Sequence, residues 1–168
     1  RGLMALLEEV IGRETLALHK EGVAVCHVGR KEELSDSLRK KIAEAEELTR
    51  HNSRLILNVA FNYGGRREIL DAVRRIVADG VDPAQLDEDL FASYLYTRGQ
   101  PDPDLVIRTA GEMRLSNFLI WQSAYAEYYA TPTYWPDFDV EELRKALAVY
   151  AQRQRKFGKL ANDDVGSK

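Results

Sequence analysis

The chain is poor in the residues and patterns that mark several classes of protein. Its single cysteine, Cys26, lies in the apolar run VAVCHV, so there is no disulfide framework and a reducing compartment is expected. His19, His27 and His51 are scattered without a second ligand at metal spacing, which argues against a zinc site. No apolar run approaches the roughly 20 residues of a membrane span. A net charge of −3 argues against a general nucleic-acid binder.

What the sequence does contain is an alternation of extended and helical patterns. Continuous apolar runs predict strands over residues 23–29, 54–61 and 104–109, with a short fourth strand at 127–131. Stretches with a 3.6-residue apolar period separate these runs and predict helices. Strands that are apolar in both alternating positions indicate a parallel sheet. The predicted fold class is therefore α/β, with a mostly parallel central sheet and helices on both faces.

The C-terminal third is predicted to hold two further helices. SNFLIWQSAYAE predicts a helix over residues 116–127, and a last helix is expected over residues 140–157. Glu127 then ends the first of these helices, where a solvated carboxylate is the simplest interpretation. The length fits one domain, which we place at residues 1–158, followed by a flexible tail at 159–168.

The most informative stretch is RTAGEMRLSNF, which begins at the end of the third predicted strand and holds Arg108, Arg114 and Ser116. Arginine offers a planar fork of N–H donors that matches phosphate oxygens. Ser116 stands where a helix N-cap is expected, and the N-terminus of a helix favours anions. Ligands of open parallel sheets bind at the carboxyl ends of the strands, so the pattern predicts a diphosphate site. A structural ion pair of Arg108 with Glu112 or Asp104 is the alternative.

The second predicted strand ends in a related combination of residues. Asn58 lies within the strand, and the turn that follows contains Asn62, Gly64, Gly65 and Arg66. The two glycines serve either a tight turn with positive φ or direct contact with an anion, and the sequence leaves both interpretations open. The nucleotide motifs GxGxxG and GxxxxGK[ST] do not occur.

Two motifs carry a resemblance to a known family. RTAGEMRLSNFLIWQSAYAEYYATPTYWPDF, together with LNVAFNYGGRREI, is similar to the cis-prenyltransferases, the bacterial undecaprenyl diphosphate synthases and their relatives. The likeness runs from about Arg1 to Gly158. It implies a Mg²⁺-dependent enzyme that adds isopentenyl diphosphate to an allylic diphosphate, usually farnesyl diphosphate, giving a long polyprenyl diphosphate such as undecaprenyl diphosphate. It also implies a cytoplasmic homodimer, loosely associated with the membrane through its lipid product.

The resemblance assigns roles to individual residues. Arg108, Arg114 and Ser116 are expected to hold the diphosphate of isopentenyl diphosphate, and Glu127 to help bind Mg²⁺ across a dimer interface. The rim of the site is expected to include Asn58, Asn62, Gly64, Gly65, Arg66 and Glu112. A long apolar tunnel for the growing chain is expected to use Leu55, Leu57 and Val59 in its wall.

One departure from the family pattern is serious. The family's catalytic aspartate lies in a DGNGRW-type motif on its first strand, and neither this motif nor the Ser-x-Glu-Asn-Trp segment occurs in the sequence. We expect the aspartate upstream of Arg1, and a polypeptide that begins at Arg1 to be inactive alone. Two other functions stay open: a non-catalytic partner subunit of a two-subunit prenyltransferase, and a general phosphate-binding α/β domain. The presence of both arginines and Ser116 favours the enzyme.

Overall fold

The computed structural model of this chain describes residues 2–153, apart from the side chains of residues 3 and 5. Its helices and strands follow in the order α1 (Leu3–Lys20), β1 (Val23–Val28), α2 (Asp36–Thr49), β2 (Leu55–Ala60), α3 (Gly65–Ala78), α4 (Glu88–Ser93), β3 (Leu105–Arg108), β4 (Glu127–Ala130) and α5 (Val140–Gln152). The fold class is α/β, as predicted. The described residues divide into two compact units: residues 2–101 with 116–121, and residues 102–115 with 122–153.

The first unit is built around the parallel pair β1–β2, in which Val23 is opposite Leu55 and Val28 opposite Ala60. Helices α1 and α2 pack against β1. The apolar stripe of α2 is buried where the sequence places it, since Leu38 and Ile42 form a core cluster with Leu34. Ser35 caps this helix because its side chain accepts a hydrogen bond from the Leu38 N–H.

A second core cluster in the same unit holds α3 in place. Ala72 and Ile76 of α3 pack with Phe91 of α4 and with Leu95. Trp121 joins this cluster, with its ring centroid 4.5 Å from that of Phe91. Trp121 therefore packs against the core of the first unit.

The second unit is built on the parallel pair β3–β4, in which Leu105 is opposite Glu127 and Arg108 opposite Ala130. Helix α5 packs against β4. Asp139 caps this helix by accepting a hydrogen bond from the Glu142 N–H at 3.0 Å. The pair places Arg108 at the carboxyl end of β3, which is the end where parallel sheets bind ligands.

The predicted helix over residues 116–127 is wrong. This stretch forms a series of turns, and Glu127 is instead the first residue of β4. Ser116, Asn117 and Leu119 have φ values of 50°, 63° and 43°, which a right-handed helix does not allow. Apolar residues recur here because some of them, such as Trp121, pack against the core. The backbone that carries them is irregular and not helical.

The last helix is shorter than predicted. Helix α5 ends at Gln152, and Arg153 is extended, with φ −80° and ψ 129°. The Arg153 guanidinium donates hydrogen bonds to the Tyr128 carbonyl at 3.0 Å and to the Glu127 carboxylate. These bonds hold Arg153 in its extended conformation at the end of the helix. The rest of the predicted helix and the predicted tail at 159–168 lie outside the described residues. The placement of one domain at residues 1–158 stays a prediction.

Within residues 2–153, no helix is both long and apolar enough to cross a lipid bilayer.

Candidate active site

The two predicted phosphate-binding arginines of the second unit converge on one carboxylate. Arg108 ends β3, and both its guanidinium and that of Arg114 donate hydrogen bonds to the Glu112 side chain. The side chains of Arg108 and Arg114 are 37% and 63% exposed. The alternative ion pair between Arg108 and Glu112 is therefore present. It shows that both forks can reach a single anionic group.

The charge distribution of this cluster favours a negatively charged ligand. The two positive charges of Arg108 and Arg114 exceed the single negative charge of Glu112, so the cluster keeps a net positive charge. The Arg108 hydrogen bond, with that of Arg114, holds the pKa of Glu112 below its usual value. The carboxylate is consequently ionised near neutral pH, and the arginines are already oriented towards an oxyanion.

A small cleft of about 60 Å³ adjoins the arginines. Its lining combines Arg108 and Arg114 with Val106, Leu115, Met113 and two tyrosines, Tyr128 and Tyr129. Such a lining suits a ligand with one charged end and one apolar end, because the guanidinium groups and the apolar side chains lie side by side.

Ser116 does not cap a helix. It is an exposed turn residue of the first unit, whereas Arg108 and Arg114 belong to the second unit. The neighbouring Asn117 serves the N-terminus of α3 instead. Its backbone oxygen accepts from the Gly65 N–H at 2.7 Å, and its side-chain oxygen accepts from the Arg66 N–H at 2.9 Å.

The glycine turn is used for close approach of the chain. Gly64 is extended, with φ −163°, so the first of the two open interpretations, a turn with positive φ, does not apply there. A Cβ atom on Gly64 would lie 2.8 Å from the Asn117 amide nitrogen, and one on Gly65 would lie 2.8 Å from Ile120 Cγ1. The Gly65 and Arg66 N–H groups are already bonded to Asn117, so these two donors do not face a ligand.

An apolar cavity of about 290 Å³ lies between α1, α2 and the β1–β2 pair. Its lining includes Leu7, Ile11, Ile42, Leu57, Val59 and Phe61. Two of the three predicted tunnel residues, Leu57 and Val59, thus face this cavity. Leu55 shares their face of β2 through the two-residue period, but it lies before the cavity begins.

Comparison with known proteins identifies the family. The sequence model of a prenyltransferase family described as "Putative undecaprenyl diphosphate synthase" matches residues 1–158. The chain belongs to this prenyltransferase family.

Individual relatives agree with this membership. The chain is 49% identical to an isoprenyl transferase of Heliobacterium mobile over 160 residues, which are 93% of this chain and 62% of the relative. It is 46% identical to a farnesyl-diphosphate-specific undecaprenyl-diphosphate synthase of Aliivibrio fischeri, again covering 93% of this chain and 62% of the relative. The chain thus spans less than two thirds of the length of these curated relatives.

A solved structure supports the same fold. Lavandulyl diphosphate synthase from Lavandula x intermedia, in complex with dimethylallyl diphosphate, superposes with a TM-score of 0.88 at 37% identity. The match covers 94% of this chain and 70% of that one. The prenyltransferase fold predicted from the two sequence motifs is therefore confirmed.

Two further residues predicted for the rim of the prenyltransferase site, Asn58 and Asn62, form hydrogen bonds with residues distant in sequence. The side chain of Asn58, in β2, exchanges hydrogen bonds with the Gln100 amide, one of them 3.0 Å long. Asn62 has φ 49°, and its side chain donates to the Arg30 carbonyl at 3.1 Å and to Glu33 at 3.0 Å. Asn62 thus links the turn after β2 to the Arg30 backbone, whereas Asn58 links β2 to the Gln100 side chain.

Glu127, the predicted magnesium ligand, is paired with a cation. Its carboxylate lies 2.6 Å from the Arg153 guanidinium, and its side chain is 24% exposed. Within residues 2–153, no cluster of three or more acidic, histidine or cysteine side chains could enclose a metal ion. Glu127 is therefore a single carboxylate, paired with Arg153.

A buried acid that the sequence analysis missed organises the start of α3. Glu68 is 1% exposed, and its carboxylate accepts hydrogen bonds from the Tyr63 hydroxyl at 2.5 Å and the Tyr96 N–H at 2.7 Å. Burial, and then the neighbouring Glu68, raise the pKa of Tyr63 far above its usual value, so the phenol stays protonated as a donor. The motif NYGGRRE contains both residues, but a glutamate in the first turn of a helix usually faces solvent.

Replacing Asn117 by alanine should destabilise the first unit by about 2–3 kcal/mol. The change removes an acceptor at a helix start, worth about 1 kcal/mol, and leaves alanine in a left-handed conformation, which costs about 1–2 kcal/mol. Asn117→Gly removes only the acceptor and should cost less. Urea unfolding of both variants measures the difference. Equal stability of both variants and the parent chain would contradict this role of Asn117 at the start of α3.

Proposed function

We propose that this chain binds isopentenyl diphosphate and acts in cis-prenyl chain elongation. In this reaction, isopentenyl diphosphate condenses with an allylic diphosphate, here farnesyl diphosphate, to give a long polyprenyl diphosphate such as undecaprenyl diphosphate. The observation that carries the proposal is the convergence of Arg108 and Arg114 on one anionic group at the carboxyl end of β3. In a member of a prenyltransferase family, a diphosphate is the ligand that such a pair suits best.

The arginines would act by binding and orienting the substrate, and the role expected of Ser116 stays a prediction. Two guanidinium forks fix the diphosphate oxygens in direction as well as in distance. A substrate fixed in this way presents its double bond to the allylic carbon in a constant geometry. Such positioning replaces a bimolecular encounter by a step within one complex.

The apolar cavity of the first unit would receive the growing hydrocarbon chain. Leu57 and Val59 lie in its wall, and the lining is almost wholly apolar. Each methylene that leaves water for such a cavity contributes about 0.8 kcal/mol. The product is therefore held by burial of its tail, while the arginines hold only the charged end of the incoming substrate.

Magnesium would be held by Glu127 together with oxygens of a diphosphate. One carboxylate combined with substrate phosphates is a usual coordination for Mg²⁺, so the single acid at this position fits the ion. When bound, Mg²⁺ neutralises the charge that develops on the departing diphosphate. Glu127 itself would exchange its Arg153 partner for the ion.

Replacing Glu127 by glutamine should raise the Mg²⁺ concentration needed for half-maximal turnover by about tenfold. The amide keeps the shape of the side chain and loses the charge that attracts the cation. A magnesium titration of the variant and of the parent enzyme measures the shift. Arg153→Ala is the matched control, because it breaks the same ion pair and keeps the carboxylate. An unaltered titration for Glu127→Gln would leave Glu127 as a structural ion-pair partner.

The function is tested by turnover of the full gene product. The protein is incubated with farnesyl diphosphate, labelled isopentenyl diphosphate and Mg²⁺, and label in the organic extract is counted and sized. We expect label in a long polyprenyl product. No label, with isopentenyl diphosphate still bound at equilibrium, would favour a non-catalytic partner subunit. Tighter binding of ATP than of isopentenyl diphosphate would instead indicate a general phosphate-binding domain.

We also propose that the protein works as a homodimer. Tyr134 and Trp135, which follow β4, are 67% and 73% exposed, and exposed aromatic side chains are enriched at subunit interfaces. Light scattering on the full gene product would give the mass in solution, and a monomer at all concentrations would contradict this proposal.

A further inference from the structure

The backbone that carries Arg108 is held by the short segment that follows β4. The Thr131 N–H donates to the Arg108 carbonyl at 2.9 Å, and the Gly111 N–H donates to the Thr131 carbonyl at 2.8 Å. The Ala110 N–H donates to the Thr133 carbonyl at 2.9 Å. These bonds fix the backbone of the turn from Arg108 to Gly111. They therefore also fix where the Arg108 side chain begins and where the chain continues to Glu112.

This turn needs such support because its conformation is unfavourable. Ala110 and Gly111 both have positive φ, at 63° and 69°. A residue with a Cβ atom, such as Ala110, loses about 1–2 kcal/mol in this left-handed region. A conformation of this kind persists only where the surrounding structure determines it. The geometry of the arginine cluster therefore depends on the segment that includes Thr131 and Thr133.

That segment is in turn fixed by Glu142, in the first turn of α5. One oxygen of the Glu142 carboxylate accepts hydrogen bonds from the hydroxyls of Thr131 and Thr133, each at 3.1 Å. The other oxygen accepts from Lys145. Thr131 is 2% exposed and the Glu142 side chain 16% exposed, so these hydrogen bonds are largely shielded from water.

The start of α5 determines where this carboxylate lies. Asp139 accepts a hydrogen bond from the Glu142 N–H, which fixes the first turn of the helix. Glu142 therefore extends from the fixed first turn of α5. Its two threonine partners belong to the segment that holds the turn from Arg108 to Gly111. A continuous series of hydrogen bonds thus connects Glu142 of α5, through Thr131 and Thr133, to the backbone of Arg108.

We propose that Glu142 is a positioning residue for the diphosphate site. It orders Thr131 and Thr133, which keep the Arg108 to Gly111 turn in the conformation that directs Arg108 at the ligand. This inference rests on the proposed function, since it takes isopentenyl diphosphate as the ligand of the arginines. The competing explanation is that Glu142 serves only the helix, through its ion pair with Lys145.

The test compares three variants of the full gene product by equilibrium binding of isopentenyl diphosphate. Glu142→Ala should raise the dissociation constant about tenfold, because small misplacements of a binding group are costly. Glu142→Gln keeps an amide oxygen for the two hydroxyls and should bind within about threefold of the parent protein. Lys145→Ala removes the ion pair alone and should leave binding unchanged.

The number of sites and the turnover separate positioning from folding. A folding defect lowers the number of binding sites per molecule and leaves the dissociation constant of the remaining sites unaltered. We expect the opposite for Glu142→Ala: full stoichiometry, a raised dissociation constant, and a KM for isopentenyl diphosphate raised by a similar factor. If Glu142→Ala does not fold, Thr133→Val replaces it, since it removes one hydroxyl donor at nearly constant volume. We expect Thr133→Val to weaken binding about threefold.

Each contrary result has one meaning. Unchanged binding in Glu142→Ala, or in Thr133→Val where that variant replaces it, would overturn the positioning role, provided that Arg108→Ala still weakens binding. Unchanged binding in Arg108→Ala as well would instead overturn the proposed function. Equal losses in Glu142→Ala and Glu142→Gln, or in Glu142→Ala and Lys145→Ala, would assign the effect to charge and likewise overturn the proposal.

Discussion

Replacing Arg114 by alanine should weaken the binding of isopentenyl diphosphate by roughly 10- to 100-fold. The change removes hydrogen bonds to a charged group, which contribute about 1.5–3 kcal/mol, and each 1.4 kcal/mol is about tenfold in affinity. Arg108→Ala should have at least as large an effect, because Arg108 is less exposed than Arg114. Calorimetric titration of the purified variants with isopentenyl diphosphate measures both values.

Two comparisons make this test specific. Arg144 is 67% exposed and pairs with Glu141, so Arg144→Ala removes an arginine of matched exposure and pairing from the same unit and should leave affinity unchanged. Arg114→Lys keeps the charge and loses the planar fork, so it should bind between the parent protein and Arg114→Ala. A dissociation constant that is the same in Arg114→Ala and Arg144→Ala would show that the assignment of Arg114 is wrong.

Replacing Gly29 by alanine should destabilise the protein by about 4 kcal/mol. Gly29 follows β1 with φ 140°, and a Cβ atom there would lie 2.2 Å from the Phe61 carbonyl oxygen and 3.0 Å from that of Asn62. Backbone strain of this kind costs about 1–3 kcal/mol, and overpacking costs about 1–3 kcal/mol more. The clash is with backbone, which cannot rotate away. Urea denaturation, followed by far-ultraviolet circular dichroism, gives the change in the free energy of unfolding.

Two other glycines separate the contributions to this loss. Gly80 has φ 67° with no atom within 4 Å of an added Cβ, so Gly80→Ala should cost only about 1–2 kcal/mol from conformation. Gly12 lies in α1 with open space around it, and Gly12→Ala should stabilise the protein by about 0.5–1 kcal/mol. Equal losses in Gly29→Ala and Gly80→Ala would mean that the contact with Phe61 has no energetic weight.

The strands and the arginines could be predicted because their signals are local. Residues 23–28, 55–60 and 105–108 are mostly apolar, and such short apolar runs form strands in many contexts. Arg108 and Arg114 could be predicted because one ends an apolar strand and the other lies in the turn that follows, where charged side chains seldom serve a core. The two motifs also predicted the prenyltransferase family, which the family match over residues 1–158 confirms.

The failures concern contacts between parts of the chain that are distant in sequence. A helical period over residues 116–127 does not reveal that Asn117 caps α3, some 50 residues earlier in the chain. Glu142 could be predicted as the partner of Asp139 in a capping pattern, but its bonds to Thr131 and Thr133 depend on how α5 packs against β4. Leu55 is predicted to line the tunnel with Leu57 because the two-residue period of a strand puts both on one face. Where the cavity ends depends on other elements, and Leu55 does not line it.

The position of Glu112 between the two arginines makes ligand binding an exchange of one anion for another. A tethered carboxylate competes at an effective concentration of about millimolar or more, whatever the composition of the solvent. A dilute, singly charged anion such as chloride or acetate gains little by replacing it. A diphosphate offers several charged oxygens and can satisfy both guanidinium forks at once. The internal carboxylate therefore acts as a threshold that rejects weak anions and keeps the arginines available for multiply charged substrates.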